Sequence, residues 1–192
     1  MSKIIFILAV LLLGLATPAG ICFAAEPEAK KFEVKPAPEF EGIDEWINTE
    51  PLTMKDLKGR VVVVHFWTFG CINCIHNLPH YQKWQKDYAG KDLVIVGIHT
   101  PETDAEKKAE NVRAAVKERK IEYPVAIDGS ATMWKKCSTR LWPSVALVDR
   151  QGQVRYVWEG ELNWEGQEGE AWMRKHIQEL IAEGKTKATA QK

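Results

Sequence analysis

Nine stretches of the chain carry apolar patterns regular enough to predict an element. Val61-Val62-Val63-Val64-His65-Phe66-Trp67 is β-branched and almost wholly apolar, as suits a central strand covered on both faces. Behind it, Ile75, Leu78, Tyr81, Trp84 and Tyr88 recur at helical spacing, and Gly90 supplies a stop. Pro79 lies inside this pattern, where it removes a hydrogen bond and bends the axis. Leu93–His99 is a second buried strand. A charged stretch with Ala105, Ala109, Val112 and Val116 on one face is a second helix. Residues 123–128 read as a third strand, 131–137 as a short helix and Ser144–Val148 as a fourth strand. Residues 154–158 are its hairpin partner across the turn at 149–152. An amphipathic helix over 168–183, with Trp172, Met173, Ile177, Leu180 and Ile181 inward, ends at Gly184. The order β-α-β-α-β-α-β-β-α predicts an α/β fold: a mixed β-sheet flanked by helices. Upstream, residues 41–57 alternate apolar and polar positions, which reads as a short hairpin or helical turn leading into the core.

The two ends of the chain break the pattern. Lys3 precedes the apolar run 4–16, and small residues follow up to Ala25, the layout of a signal peptide cleaved after Ala24. Thirteen apolar residues fall short of the roughly 20 that a membrane span needs, so an uncleaved anchor is the less favoured reading. Bulky Ile21 argues against lipid attachment at Cys22. Residues 1–24 are therefore read as a signal peptide, 25–39 as a Pro-, Glu- and Lys-rich flexible spacer, 40–184 as one domain, and 185–192 as a frayed tail. The product is exported to a periplasm or cell envelope. Lys+Arg and Asp+Glu both number 26, so no overall field recruits nucleic acid or an anionic membrane. A monomer without cofactor is expected.

Without residues 1–24 three cysteines remain, Cys71, Cys74 and Cys137, and three cannot all pair. A disulfide between Cys71 and Cys74 would close too small a loop to staple a fold, so the pair is there for its chemistry. At the first turn of a helix, unsatisfied N–H groups and the helix dipole favour a thiolate at the first cysteine. Cys71 is the expected nucleophile and Cys74 the resolving thiol, acting by thiol–disulfide exchange. A zinc site is the competing use of such a pair, with His76 and His80 as the further ligands. On a helix His76 lies about 200° from Cys74, which keeps one metal from collecting all four side chains. Cys137 fills a small apolar position on the short helix.

The strand ending in Phe66-Trp67, the Cys71-Ile72-Asn73-Cys74 pair three residues on, and Pro79 five residues after the second cysteine together resemble the thioredoxin superfamily. Trp142-Pro143-Ser144 is similar to that superfamily's loop with a cis proline, which faces the dithiol and receives the substrate backbone. An additional helix and strand between about Asp104 and Asp128 resemble the insertion of TlpA/ResA-like exported reductases. The stretches 67–75, Leu78-Pro79, 97–102 and 141–143 resemble the thioredoxin-like domain attached to DipZ-type transmembrane electron carriers. The resemblance implies a thioredoxin-like fold with a TlpA/ResA-type αβ insertion, protein disulfides as substrates, and a transmembrane thiol carrier as electron donor. It implies substrate contacts at Trp67, Phe69, Trp142, Pro143 and Ser144; Trp67, Phe69 and Trp142 would form an aromatic collar near Cys71, with packing and partner recognition both open as its role. It places His65 where thioredoxins carry a buried acid, and Glu102 where ResA-like proteins carry an active-site glutamate. Both are candidate proton relays; a core histidine and an ordinary loop carboxylate are the alternatives.

The leading reading is an exported reductase of protein disulfides, with apocytochrome c or other exported dithiols as its targets; a disulfide oxidase or isomerase is the same chemistry run differently. Thr68-Phe69-Gly70-Cys71 also resembles the Thr-x-x-Cys core of peroxiredoxins, although Val64 stands where that family has proline. A copper carrier using both thiols with His99 or His65 is the non-enzymatic alternative.

Overall fold

The computed structural model describes residues 34–88, 90 and 92–189. The expected signal peptide at 1–24 and most of the expected spacer lie outside them.

Among the described residues the strands form one seven-stranded sheet in the order β1-β7-β6-β3-β4-β5-β2. Its centre is the valine run. β3 (Val61–Trp67) and β4 (Leu93–His99) are parallel neighbours, and every residue of both is buried. Each fully buried valine contributes on the order of 1.5–3 kcal/mol, which explains why this run anchors the sheet. β5 (Val125–Ile127) continues the parallel part, and β6 (Ser144–Val148) flanks β3 antiparallel. β7 (Gln153–Glu159) returns along β6 with a register shift between Leu147 and Val148.

Two edge strands were not legible as such. β1 (Lys35–Pro36) pairs with Val154 and Gln153 of β7. The spacer expected over 25–39 thus joins the sheet at its end, where a proline lacking N–H is tolerated. β2 (Glu45–Ile47), in the stretch expected to hold a hairpin or helical turn, pairs antiparallel with β5.

The helices divide unequally between the faces. α1 (Ile72–Asp87), α2 (Ala109–Glu118) and α4 (Gly169–Thr189) contribute to one apolar cluster with Val61, Val63 and Trp67. The other face, carrying Val62, Val64 and Phe66, is covered by α3 (Thr132–Lys136) and by Met54, Leu57 and the residues around them. α1 carries Pro79 inside, as the spacing predicts. α2 starts later than its apolar pattern suggests: Ala105 lies outside it, exposed, in a preceding turn. α4 continues through Gly184 to Thr189, so the stop expected there does not occur. A mid-helix glycine costs only about 1 kcal/mol, which a run of ordinary helix formers carries through.

Candidate active site

Register places the two halves of the site side by side. β6 runs antiparallel to β3 with Ser144 opposite Phe66, so the Trp142-Pro143 loop meets the end of β3, where the chain turns into α1. The Trp142–Pro143 bond is cis, as the resemblance implies. Gly160 at the end of β7 donates to the Pro143 carbonyl at 2.7 Å and fixes the loop from its far side.

Cys71 is the N-cap of α1. Its backbone is extended (φ −80°, ψ 112°), and its Sγ accepts the Cys74 N–H at 3.2 Å. Cys74 is buried one turn deeper, and both are free thiols. Their environments drive them apart. A hydrogen bond from the Cys74 thiol, joined by the N–H groups of Cys74 and Asn73, lowers the Cys71 pKa to about 7, against the opposing pull of burial and of the Glu102 charge. Cys74 is pushed far up, first by burial and then by donating to Cys71, with the charges of Cys71 and Glu102 adding to the rise. One thiol is thus half ionised at neutral pH while its neighbour holds its proton.

The proposed relays fare differently. Glu102 is exposed, and its charge reaches both thiols. His65 is completely buried, stacked on Tyr81 at 4.2 Å and edge-on to Tyr123 at 5.4 Å, and burial lowers its pKa to about 3. It stays neutral, and neither ring nitrogen has a hydrogen-bond partner among the described residues.

The expected aromatic collar does not form. Trp67 is fully buried and meets His99 edge-on at 5.2 Å. It lies on the same strand face as His65 and Val63, which points into the core, so it cannot touch a partner and supports the site from beneath. Phe69 stacks on His99 at 5.6 Å, and Trp142 stacks instead on Trp134 of α3 at 3.9 Å. Ser144 is buried with its hydroxyl donated to the Leu141 carbonyl at 2.7 Å. The exposed apolar surface around the site comes from Ile72 and Leu141, with Phe69 and Trp142 half-buried.

Three residues absent from the sequence reading complete the site. Glu106 is 2 % exposed; its carboxylate accepts from the amides of Gly70 at 2.9 Å and of Glu102 and Thr103 at 2.8 Å each. Burial pushes its pKa up, yet hydrogen bonds from the Thr68 hydroxyl and those amides outweigh it and hold the group below its usual range. Arg119 donates to the Phe69 carbonyl at 3.0 Å. Asn77, buried one turn beyond Cys74, accepts from the Leu162 amide at 2.9 Å and ties α1 to the segment after β7. Only Glu106 left a trace in the sequence: Thr103-Asp104-Ala105-Glu106 has the capping-box spacing, and Glu106 bonds the Thr103 N–H accordingly.

The remaining candidates stand apart. His76 is exposed and faces Glu161 at 3.0 Å. Among the described residues no group of three or more His, Cys, Asp or Glu is arranged to hold a metal. The Thr68 hydroxyl lies 3.4 Å from His99 Nε2 and bonds Glu106. Those contacts engage the hydroxyl that a peroxidase would turn toward its cysteine. Cys137 caps the end of α3, packed against the second cluster, and burial, with the Asp128 charge, pushes it up to about 11. No helix of the described residues is long and apolar enough to cross a membrane.

Comparison with known proteins agrees with this geometry. Residues 34–157 match the AhpC/TSA family. The protein DipZ of Mycobacterium tuberculosis (strain CDC 1551 / Oshkosh) is 38% identical over 128 residues, 65% of this chain but only 18% of that relative. The thiol-disulfide oxidoreductase ResA of Bacillus thuringiensis subsp. konkukian is 29% identical over 133 residues, 69% of this chain and 73% of the relative. Among solved structures, the thioredoxin-like superfamily protein SPOA0173 superposes with a TM-score of 0.67 at 26% identity, covering 76% of this chain and 96% of that one.

Proposed function

The chain belongs to the AhpC/TSA family, with a thioredoxin-like fold, and from that premise we propose that it is a thiol:disulfide oxidoreductase with Cys71 as nucleophile and Cys74 as resolving thiol. One observation carries this reading: two free thiols share the first turn of α1, Cys71 at the N-cap with its Sγ accepting the Cys74 N–H at 3.2 Å and Cys74 buried beneath it, an arrangement that favours the outer thiolate and keeps the inner thiol protonated. The name of the relative ResA, a thiol-disulfide oxidoreductase, supports it.

The Cys71 thiolate attacks one sulfur of a partner disulfide. That S–S bond breaks, and the released partner sulfur takes up a proton. Cys71 is now joined to the partner, and the thiolate that accepted the Cys74 hydrogen bonds is gone. Cys74 then gives its proton to a base and attacks the Cys71 sulfur; the partner leaves as a dithiol, and a Cys71–Cys74 disulfide remains. Two electrons have passed to the partner. Glu102 is the base that best fits, because it is exposed and electrostatically coupled to both thiols, whereas neutral, enclosed His65 serves as packing. The partner backbone runs along the loop of the cis Trp142–Pro143 bond, whose Pro143 is itself buried, with Phe69, Ile72, Leu141 and Trp142 as the apolar surround.

In this reading the working direction is reduction, on exported protein disulfides such as those of apocytochromes c, recharged by a transmembrane thiol carrier. This chain spans only 18% of the length of the relative named DipZ. The test is insulin reduction by the purified chain: Cys71→Ser abolishes it, and Cys74→Ser accumulates a mixed disulfide. Full activity in Cys71→Ser refutes the reading.

A further inference from the structure

Two consecutive peptide groups lead from β3 into Cys71, and each is held at both polar ends. In the Thr68–Phe69 peptide, the Thr68 carbonyl accepts from the Cys71 amide at 3.3 Å, and the Phe69 N–H donates to His99 Nε2 at 3.4 Å. In the Phe69–Gly70 peptide, the Phe69 carbonyl accepts from the Arg119 guanidinium at 3.0 Å, and the Gly70 N–H donates to Glu106 Oε1 at 2.9 Å. Two side chains of opposite charge thus hold opposite ends of one amide dipole. Rotation of that plane breaks both bonds at once, and hydrogen bonds to charged groups are each worth about 1.5–3 kcal/mol.

The carboxylate is suited to this only as an anion. Its oxygens receive three backbone N–H groups and the Thr68 hydroxyl, all of them donors to the carboxylate. Gly70 belongs to the same device, since a Cβ there would stand 2.5 Å from Glu106 Oε1. Because Gly70 directly precedes the N-cap, the angle of its peptide plane decides where the Cys71 side chain hangs over the first turn of α1.

We propose that Glu106, with Arg119 at the other end of the same peptide, is a positioning residue that aims Cys71 Sγ at the N–H groups of the first turn of α1. Neither side chain touches the partner disulfide. The assignment rests on reading Cys71 as the nucleophile, and it adds that the segment between β4 and β5 sets that nucleophile's reactivity through the backbone. Glu102 and Glu106 then act oppositely on one thiol: the first by through-space charge, which disfavours the thiolate, the second by geometry, which favours it.

That opposition gives a test by sign. In Glu106→Gln a negative charge is lost, so simple electrostatics lowers the Cys71 pKa, whereas loss of positioning raises it. The pH dependence of iodoacetamide alkylation at Cys71, followed by peptide mass spectrometry on the full reduced chain, reads this without any disulfide substrate. It is therefore independent of whether the oxidoreductase reading holds. The expected result is a midpoint raised by about one unit and a roughly five-fold slower alkylation at neutral pH, with the rates converging above pH 10. An unchanged or lowered midpoint overturns the proposal. If Glu106→Gln fails to fold, Gly70→Ala, which displaces the carboxylate while keeping every charge, decides by the same two outcomes.

Discussion

Two histidines lie on the same face of adjacent strands, His65 in β3 and His99 in β4, and their surroundings are unlike. His99 belongs to a polar region: its Nε2 accepts from the Phe69 amide, the Thr68 hydroxyl stands beside it, and Glu106 in the turn before α2 and Arg119 at the cap that ends α2 both influence it. His65 belongs to an aromatic region made by Tyr81, Tyr123 and Trp67, in which its ring nitrogens, Trp67 Nε1 and Tyr123 Oη find no hydrogen-bond partner among the described residues. Burial lowers both, to about 4 and about 3. The difference teaches that burial alone does not mark a working residue here. The polar region organises the backbone that carries Cys71, while the aromatic region keeps Cys74 dry and its proton in place.

The sharpest way to break this division is Gly70→Ala, which strikes the polar region only. Insulin reduction should fall about a hundred-fold, the scale of a small misplacement of a reacting group, while urea unfolding loses no more than about 1.5–3 kcal/mol, the worth of the displaced bond to the Glu106 carboxylate. A larger loss of stability would merge the two regions. Asn77→Ala strikes the join between α1 and the β7–α4 segment: the Leu162 amide loses its acceptor, and urea unfolding should show about 1–3 kcal/mol lost.

The aromatic region is reached by pH. An unfolded histidine binds its proton near 6.5, while the folded chain holds His65 and His99 unprotonated down to about 3 and about 4. Between those limits the unfolded state binds more protons, so stability falls as pH falls from about 6.5, by about 1.4 kcal/mol per unit for each histidine, and is level above. Urea unfolding between pH 7 and 5 should show this slope, and His65→Leu should remove one histidine's share. The smallest effect belongs to Glu102→Gln. Removing that charge should lower the Cys71 pKa by a fraction of a unit, read by alkylation, and yet slow the release of the mixed disulfide, read by stopped-flow, if Glu102 is the base.

What was legible in the sequence followed from strong local signals. The valine run, the helical spacing behind it and the Cys-x-x-Cys pair between them fix the central layer, and the cis Trp142-Pro143 loop was implied by the resemblance to the thioredoxin superfamily. β1 and β2 escaped because two- and three-residue edge strands have no period to detect. Trp67 was placed in an aromatic collar near Cys71 with packing and partner recognition both open, and alternation from Val63 and His65 turns it inward, to packing. Glu106, Arg119 and Asn77 act through backbone groups distant in sequence, and only folding brings those groups together.

The central claim is that one turn of helix holds two thiols in opposite states. Its most direct measurement is an NMR titration of the reduced chain with 13C-labelled cysteine β-carbons. Cys71 should titrate near pH 7, with Cys74 still protonated at the alkaline end of the folded range. Two overlapping transitions near the ordinary cysteine value would contradict it.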